Sequence, residues 1–136
     1  MTAEEYLKQI RMIDDIIIDL MKDYKRWKDI ADNLGGGFSV EDRVQTTRDL
    51  HKGENAIIEY ISIDGEIKAL KRKRQGIIDT IQQLPHYEYK ILYAIYVDGL
   101  MLKELPSLFD KSYEWAKKMK RKALDHVQLI IDKKEG

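Results

Sequence analysis

The 136-residue sequence contains no cysteine, only two prolines and only two phenylalanines. The absence of cysteine excludes disulfides and thiol chemistry, and it favours a cytoplasmic location. No apolar run approaches the roughly 20 residues of a membrane-spanning helix, so we expect no membrane partner. The formal net charge is zero, so total charge favours neither nucleic acid nor an acidic partner.

Catalytic and metal-binding motifs are also missing. The three histidines, His51, His86 and His126, stand far apart and lack the spacing of a metal motif. No serine lies in a nucleophile elbow. The glycine run 35–37 is followed by no Gly-Lys-Ser/Thr, so a phosphate-binding loop is poorly supported. We therefore expect no enzyme activity, no cofactor and no metal.

Two long apolar stripes predict an antiparallel helical hairpin. Both stripes have the three- and four-residue steps of helices that pack at a shallow angle. They predict helices over about 3–33 and 53–83, joined by a loop over 34–52 in which the glycines end the first helix. The first stripe is Tyr6, Ile10, Ile13, Ile17, Leu20, Tyr24, Trp27, Ala31 and Leu34, and the second is Tyr60, Ile63, Ile67, Leu70, Ile77, Ile81 and Leu84.

After Leu84-Pro85 the pattern changes to shorter helices. Residues 87–97 form a predicted first helix. Leu102, Leu105, Leu108 and Phe109 then share one face of a second helix, in which Pro106 removes a backbone donor and is tolerable only near the first turn. A break over 110–112 follows. Ser112 is a suitable N-cap for a last helix that we expect to end near Ile131.

The last helix has an apolar side and a basic side. The apolar side is predicted to pack inward through Ala116, Met119, Ala123, Val127 and Ile130. The outer side carries Tyr113, Glu114, Lys117, Lys118 and Arg121, and residues 111–122 contain six cations and one acid. Helix, tight turn and basic second helix are typical of the helix-turn-helix, whose second helix enters the DNA major groove. An ordinary pair of helices with solvated lysines fits the spacing equally well.

A family resemblance favours the DNA-binding interpretation. Residues 99–105 (GLMLKEL), Phe109, Ser112 and Ala123-Leu124 resemble region 4 of the sigma-70 family without a gap, and Leu92 and Tyr96 resemble its first helix. Pro106 stands where that family has Ala, Asp110 where it has the turn Gly, and Lys111 at a normally apolar position. Residues 42–47 (DRVQTT) and 54–56 (ENA) resemble a loop in small phage and prophage proteins close to the RinA- and ArpU-like late transcription regulators.

The predictions combine into an all-α protein with a hairpin domain over 1–84 and a helix-turn-helix module over 85–136. The resemblance implies a transcription regulator of phage type that binds double-stranded DNA, with RNA polymerase as a candidate partner and a homodimer formed through the hairpin. Its expected DNA-binding residues are Lys111, Ser112, Tyr113, Glu114, Lys117, Lys118, Lys120 and Arg121. The cations would hold phosphates, and Tyr113, Glu114 and Lys117 would reach base edges.

Two alternatives stay open. One is a helical adaptor or oligomerisation protein whose helix-turn-helix has lost DNA binding, with Pro106 and Lys111 as signs of that loss. The other is a small DNA-packaging subunit, which also combines DNA binding with helical oligomers. A second basic cluster, residues 68–74, is interpreted as solvated side chains that balance the acidic first helix rather than as a contact to the DNA backbone.

Overall fold

The computed structural model describes residues 1–33 and 47–135, and every regular element in that part of the chain is helical. The all-α prediction is therefore confirmed. The elements are α1 (Ala3–Ala31), α2 (Thr47–Gln82), α3 (His86–Leu92) with a π-helical continuation (Tyr93–Val97), a 3₁₀ turn (Leu102–Glu104), α4 (Leu105–Phe109) and α5 (Tyr113–Glu135).

The second helix begins earlier than its apolar pattern predicts. That pattern places residues 47–52 in the loop, but they form the first turns of α2, so this prediction is wrong. Periodicity fails there because the segment carries a single aliphatic side chain, Leu50, although most of its residues have ordinary helix propensity and none is proline. The rest of the predicted loop, together with Leu34 and residues 42–46 of the second resemblance, lies outside the described residues. At the other end α5 continues to Glu135, four residues beyond the predicted end.

The chain divides into two compact units. Unit 1 joins residues 1–14 to 72–136, and unit 2 comprises 15–71. Leu84-Pro85 does separate two helices, because α2 ends at Gln82 and α3 begins at His86. Unit 1 nevertheless includes residues from both sides of this break.

In unit 1 the start of α1 packs against the end of α2 and against α5. Tyr6 Oη and Thr80 Oγ1 are 3.0 Å apart, and Arg74 Nε donates to Asp14 Oδ1 at 2.7 Å, so α1 and α2 run antiparallel. The arginine that interrupts the apolar stripe of α2 thus has a carboxylate partner across the helix pair. Leu7, Ile10 and Ile81 are fully buried here.

In unit 2 the remainder of α1 packs against the first part of α2. The Tyr24 and Tyr60 rings meet edge to face with centroids 5.6 Å apart. Ile17, Ile63 and Ile67 of the predicted stripes are buried. Both stripes therefore identify buried positions, while several aliphatic side chains outside them remain exposed.

Candidate nucleic-acid interface

The turn between α4 and α5 is fixed by two local features. Asp110 ends α4 in the left-handed conformation (φ 54°, ψ 48°), a region that Asp tolerates better than most residues. Two residues later the Ser112 hydroxyl accepts a hydrogen bond from the Trp115 backbone N–H at 3.1 Å, so the predicted N-cap is confirmed. The chain therefore changes direction over 110–112 and begins α5 at Tyr113.

Pro106 shortens the helix before this turn. The chain runs through a 3₁₀ turn at Leu102–Glu104, and α4 has only five residues with Pro106 in its first turn. There the missing backbone donor costs nothing, because the first N–H groups of a helix have no intrahelical partner. Leu108, which the sequence pattern places on one face with Leu105 and Phe109, is 59% exposed, whereas Leu105 is fully buried and Phe109 is partly buried.

A small core holds α5 in place beneath the turn. Ile91 and Ala94 from α3 and its continuation, Leu105 from α4 and Ala116 from α5 form a buried cluster. Partly buried side chains surround it: Ile95, Leu100, Leu102, Phe109, Trp115 and Met119. Further along α5, Ala123 and Val127 are fully buried, as the apolar side of the predicted helix requires.

The basic side of α5 faces away from this core. The exposed residues of this side, the α5 outer face, are Tyr113, Glu114, Lys117, Lys118 and Arg121, and Lys120 at its edge is half-buried. In the described part of the chain, none of these cations lies within ion-pair distance of a carboxylate. Lys117 Nζ lies 5.7 Å from the centroid of the Tyr113 ring one turn earlier. The face therefore presents three exposed cations that pair with no carboxylate among the described residues.

A cavity lies alongside the α5 outer face. It has a volume of about 320 Å³, and its wall combines the 3₁₀ turn with α5. Leu102, Lys117, Lys120, Arg121, Leu124 and Asp125 line it. Three cations of one helix thus line this concave surface, together with the Asp125 carboxylate and two leucines.

The α5 outer face has a defined end. Gln128, on the same side of the helix, accepts a hydrogen bond at Oε1 from the Ala3 N–H at 2.7 Å, and its amide nitrogen donates to the Met1 carbonyl at 3.2 Å. The first residues of the chain therefore contact α5 from Gln128 onward and leave Tyr113–Arg121 uncovered.

An aromatic cluster next to the turn is not predicted by the sequence pattern. Tyr87, Phe109 and Trp115 have ring centroids 5.5 to 6.4 Å apart, and Tyr87 is 44% exposed. Lys111 Nζ lies 5.9 Å from the Tyr87 centroid and 5.8 Å from that of Trp115. Lys111, placed by the sequence among the phosphate contacts, thus lies over these rings. Because the cluster joins α3 to the turn, local spacing could not have identified it.

Among the described side chains, His126 contacts a buried carboxylate. Glu88 is buried, and one of its oxygens contacts His126 Nδ1 across α3 and α5. No group of three His, Cys, Asp or Glu side chains among residues 1–33 and 47–135 could hold a metal ion. None of the helices described is both long enough and apolar enough to cross a membrane.

No protein-family model matches this chain, and no curated protein or solved structure is significantly similar to it.

Proposed function

We propose that this chain is a sequence-specific, double-stranded DNA-binding transcription regulator of the phage or prophage type, in which α4, the turn over 110–112 and α5 act as a helix-turn-helix. The observation that carries the proposal is the α5 outer face. Its cations have no carboxylate partners in the described chain, and they directly follow a short helix and a capped turn. The resemblance to sigma-70 region 4 covers the same segment.

The roles of the residues follow their positions on α5. Tyr113, Glu114 and Lys117 lie in the first turns, where recognition helices reach base edges. Lys117 also holds a phosphate, as do Lys118 beside it, Arg121 one turn further along and Lys120 at the cavity wall. Ser112 begins the helix and presents backbone N–H groups at an end that favours anions. Lys111 contributes less, because its ammonium lies against the aromatic cluster.

Salt dependence of DNA binding tests this proposal. We expect the Lys117→Ala, Lys118→Ala double variant to bind the DNA upstream of its own gene more weakly than the unmodified chain. Its plot of log affinity against log salt should be flatter by about 0.9 for each phosphate left without its cation. The measurement is fluorescence anisotropy on duplex DNA between low and moderate salt.

A matched control distinguishes the two basic regions. Lys71 and Lys73 are exposed residues of the second basic cluster on α2, and their double alanine variant should keep the full salt slope. If this control flattens the slope and the Lys117, Lys118 variant does not, DNA contacts α2 instead. If the unmodified chain binds no duplex at low salt, the regulator assignment is wrong.

The aromatic cluster and the exposed Leu108 favour a second candidate function. Apolar surface beside the turn suits a protein partner, so an adaptor, or a regulator that also contacts RNA polymerase, would use Tyr87 and Leu108. A Leu108→Asp variant that loses polymerase binding in a pull-down but retains DNA binding would assign this surface to the polymerase. A homodimer formed through α1 and α2 completes the proposal, because helix-turn-helix proteins commonly bind two half-sites as two-fold dimers.

A further inference from the structure

Arg11 on α1 is an exposed cation that forms no hydrogen bond and no ion pair with the rest of the described chain. Its guanidinium nevertheless has a defined position, because it packs against the backbone of Gly99. A Cβ atom built on Gly99 would lie 2.9 Å from Arg11 Cζ and 3.2 Å from Nη2, closer than such atoms normally approach. Both residues belong to unit 1, so this contact lies within one compact unit. The five N–H donors of Arg11 are therefore held in one place and are available to a ligand.

Gly99 suits this contact for two reasons. Its φ of 76° lies in the left-handed region, which glycine adopts without steric cost, and the Leu100 N–H next to it donates to the Ala94 carbonyl at 2.9 Å, so the bend is fixed. The absent side chain also leaves the room that the guanidinium occupies. An arginine that rests on a fixed surface loses less rotamer freedom when it binds an anion than one that moves freely in solvent.

The start of α1 lies beside the α5 outer face. The Ala3 N–H of α1 donates to Gln128 of α5 at 2.7 Å. At 100° per residue, Gln128 lies within about 20° of Lys117 and Arg121 around the helix, so α1 contacts the side of α5 that carries these cations. The start of α1 is therefore at the end of this face, and Arg11 is two turns further along the same helix.

The contact between Arg11 and Gly99 continues this surface to the first helix of the proposed helix-turn-helix. Leu102 begins the 3₁₀ turn three residues after Gly99 and lines the cavity next to the α5 outer face. Consecutive Cα atoms are about 3.8 Å apart, so the Cα atoms of Gly99 and Leu102 are at most about 11 Å apart. Successive phosphates of one strand are about 3.4 Å apart along the duplex axis, so a duplex at the cavity has further phosphates within this distance.

The acidic side chains near this place leave Arg11 without a partner. Asp98 precedes Gly99 in the chain, but none of the ion pairs among the described residues joins it to Arg11. The Glu104 carboxylate accepts a hydrogen bond from the Met101 N–H at 3.2 Å, so it caps the 3₁₀ turn. The charge of Arg11 is therefore not compensated by the described chain, and an anion is the ligand that suits it.

We propose that Arg11 binds a backbone phosphate of the duplex that the α5 outer face contacts. In helix-turn-helix proteins the first helix crosses the DNA backbone while the second enters the major groove, and Arg11 lies at the start of the first. The guanidinium fork also matches two phosphate oxygens at once. This inference rests on the proposed function, and it extends the DNA-binding surface from residues 85–136 to α1.

The salt dependence of DNA binding measures this contact. Arg11→Gln removes the charge and keeps part of the side-chain stem that packs on Gly99. It should flatten the plot of log affinity against log salt by about 0.9 and weaken binding at about 0.1 M salt by roughly five- to tenfold. The loss should be equal on the DNA upstream of the gene and on a duplex of unrelated sequence, because phosphate contacts carry no sequence information. Fluorescence anisotropy gives both values.

Arg26→Gln is the matched control. It makes the same change of charge on the same helix, about 22 Å further along, where Arg26 lies 3.8 Å from Asp23. It should keep the full salt slope, and circular dichroism should show equal helix content in both variants and in the unmodified chain. An unchanged slope in Arg11→Gln would overturn the proposal. So would an equal loss in Arg26→Gln, or a loss restricted to one of the two duplexes.

Chemical modification gives a second measurement that needs no substitution. Phenylglyoxal reacts with accessible guanidinium groups, and mass spectrometry of the peptides locates the modified residues. Bound duplex should protect Arg11 and Arg121 and leave Arg26 reactive. Equal modification of Arg11 with and without DNA would overturn the proposal.

These outcomes separate the role of Arg11 from the proposed function. If duplex DNA protects Arg121 but not Arg11, the α5 outer face binds DNA and Arg11 takes no part. If the chain binds no duplex and neither arginine is protected, the regulator assignment and the role of Arg11 are both wrong.

Discussion

Tyr96 is a buried polar residue whose hydroxyl has no partner among the described residues. Its side chain lies in the π-helical turn after α3 and is 4% exposed, and no described group forms a hydrogen bond with its Oη. Burial raises the pKa of the Tyr96 phenol to about 12, and the nearby Glu4 carboxylate adds to the effect. Both causes disfavour the tyrosinate anion in the folded protein.

This shift predicts a stability loss at alkaline pH. In the unfolded chain the phenol deprotonates near its ordinary pKa of 10, before the folded protein does, so the unfolded state binds fewer protons above that pH. The stabilising contribution of the raised pKa is therefore complete below pH 10 and is lost as pH rises toward 12. Over that window the free energy of unfolding should fall by roughly 2 to 3 kcal/mol from this residue.

Urea unfolding of Tyr96→Phe at pH 9 and above pH 11 measures the effect. The variant should lack this part of the decrease in the free energy of unfolding at alkaline pH. It should also be more stable than the unmodified chain at neutral pH, by about 1 kcal/mol, because an unpaired buried hydroxyl is removed. Tyr113→Phe is the control, since it removes an exposed tyrosine hydroxyl instead of a buried one. Equal alkaline losses in the two variants would show that Tyr96 ionises normally.

At the scale of single elements, α5 depends on the residue that caps it for its stability and for its proposed function. The Ser112 hydroxyl holds the Trp115 N–H, one of the four backbone donors that a helix start leaves without an intrahelical acceptor. The same helix end lies beside the turn that the proposed function places near phosphates. Substitutions at this position can therefore separate the two roles.

We expect Ser112→Ala to lower the free energy of unfolding by about 1 kcal/mol. Ser112→Asp should restore that stability, because aspartate is an equally good N-cap and its charge favours a helix N-terminus. The aspartate variant should nevertheless bind DNA more weakly than the alanine variant, because a carboxylate would face the phosphates. Thermal melts and anisotropy titrations give the two rankings. Identical DNA affinities would place this end of α5 away from the duplex.

Local chemistry explains which elements the sequence predicts well. The N-cap at Ser112, the break at Asp110 and the short helix around Pro106 each depend on interactions within about five residues, so the residue types alone indicate them. The outward orientation of Lys117, Lys118 and Arg121 follows from helical spacing for the same reason. The exposure of Leu108 does not, because Leu105 and Phe109 of the same short helix pack on the small core and leave Leu108 at the edge of the apolar face.

At the scale of the whole molecule the sequence predicts less of the structure, because local spacing does not indicate which distant segments pack together. The hydrogen bonds of Gln128 with Met1 and Ala3 join positions near opposite ends of the sequence. The Glu88–His126 pair and the position of Lys111 over Tyr87 likewise depend on which helices meet. The boundary at Leu84 marks a change of pattern along the chain, whereas unit 1 is assembled from both ends of the sequence.

This assembly predicts that residues 85–136 do not fold stably on their own. The C-terminal half of α5 buries Val127 and Ile131, and Ile131 lines a cavity of about 260 Å³ together with Tyr6 of α1 and Thr80 of α2. Without residues 1–84 these aliphatics lose their cover. A fully buried aliphatic side chain contributes roughly 1.5 to 3 kcal/mol, and small domains have only about 5 to 15 kcal/mol in total.

We therefore expect the 85–136 fragment to have much less helix by circular dichroism than its share of the intact chain and to melt without a cooperative transition. In the intact chain, Leu7→Asp should be strongly destabilising because Leu7 is fully buried in unit 1, and Met12→Asp, at an exposed position of α1, should be near neutral. A fragment that melts cooperatively with full helix content would show that α3, α4 and α5 are self-sufficient. In that case the first residues of the chain would only cover one end of α5, and the proposed DNA-binding module could be studied in isolation.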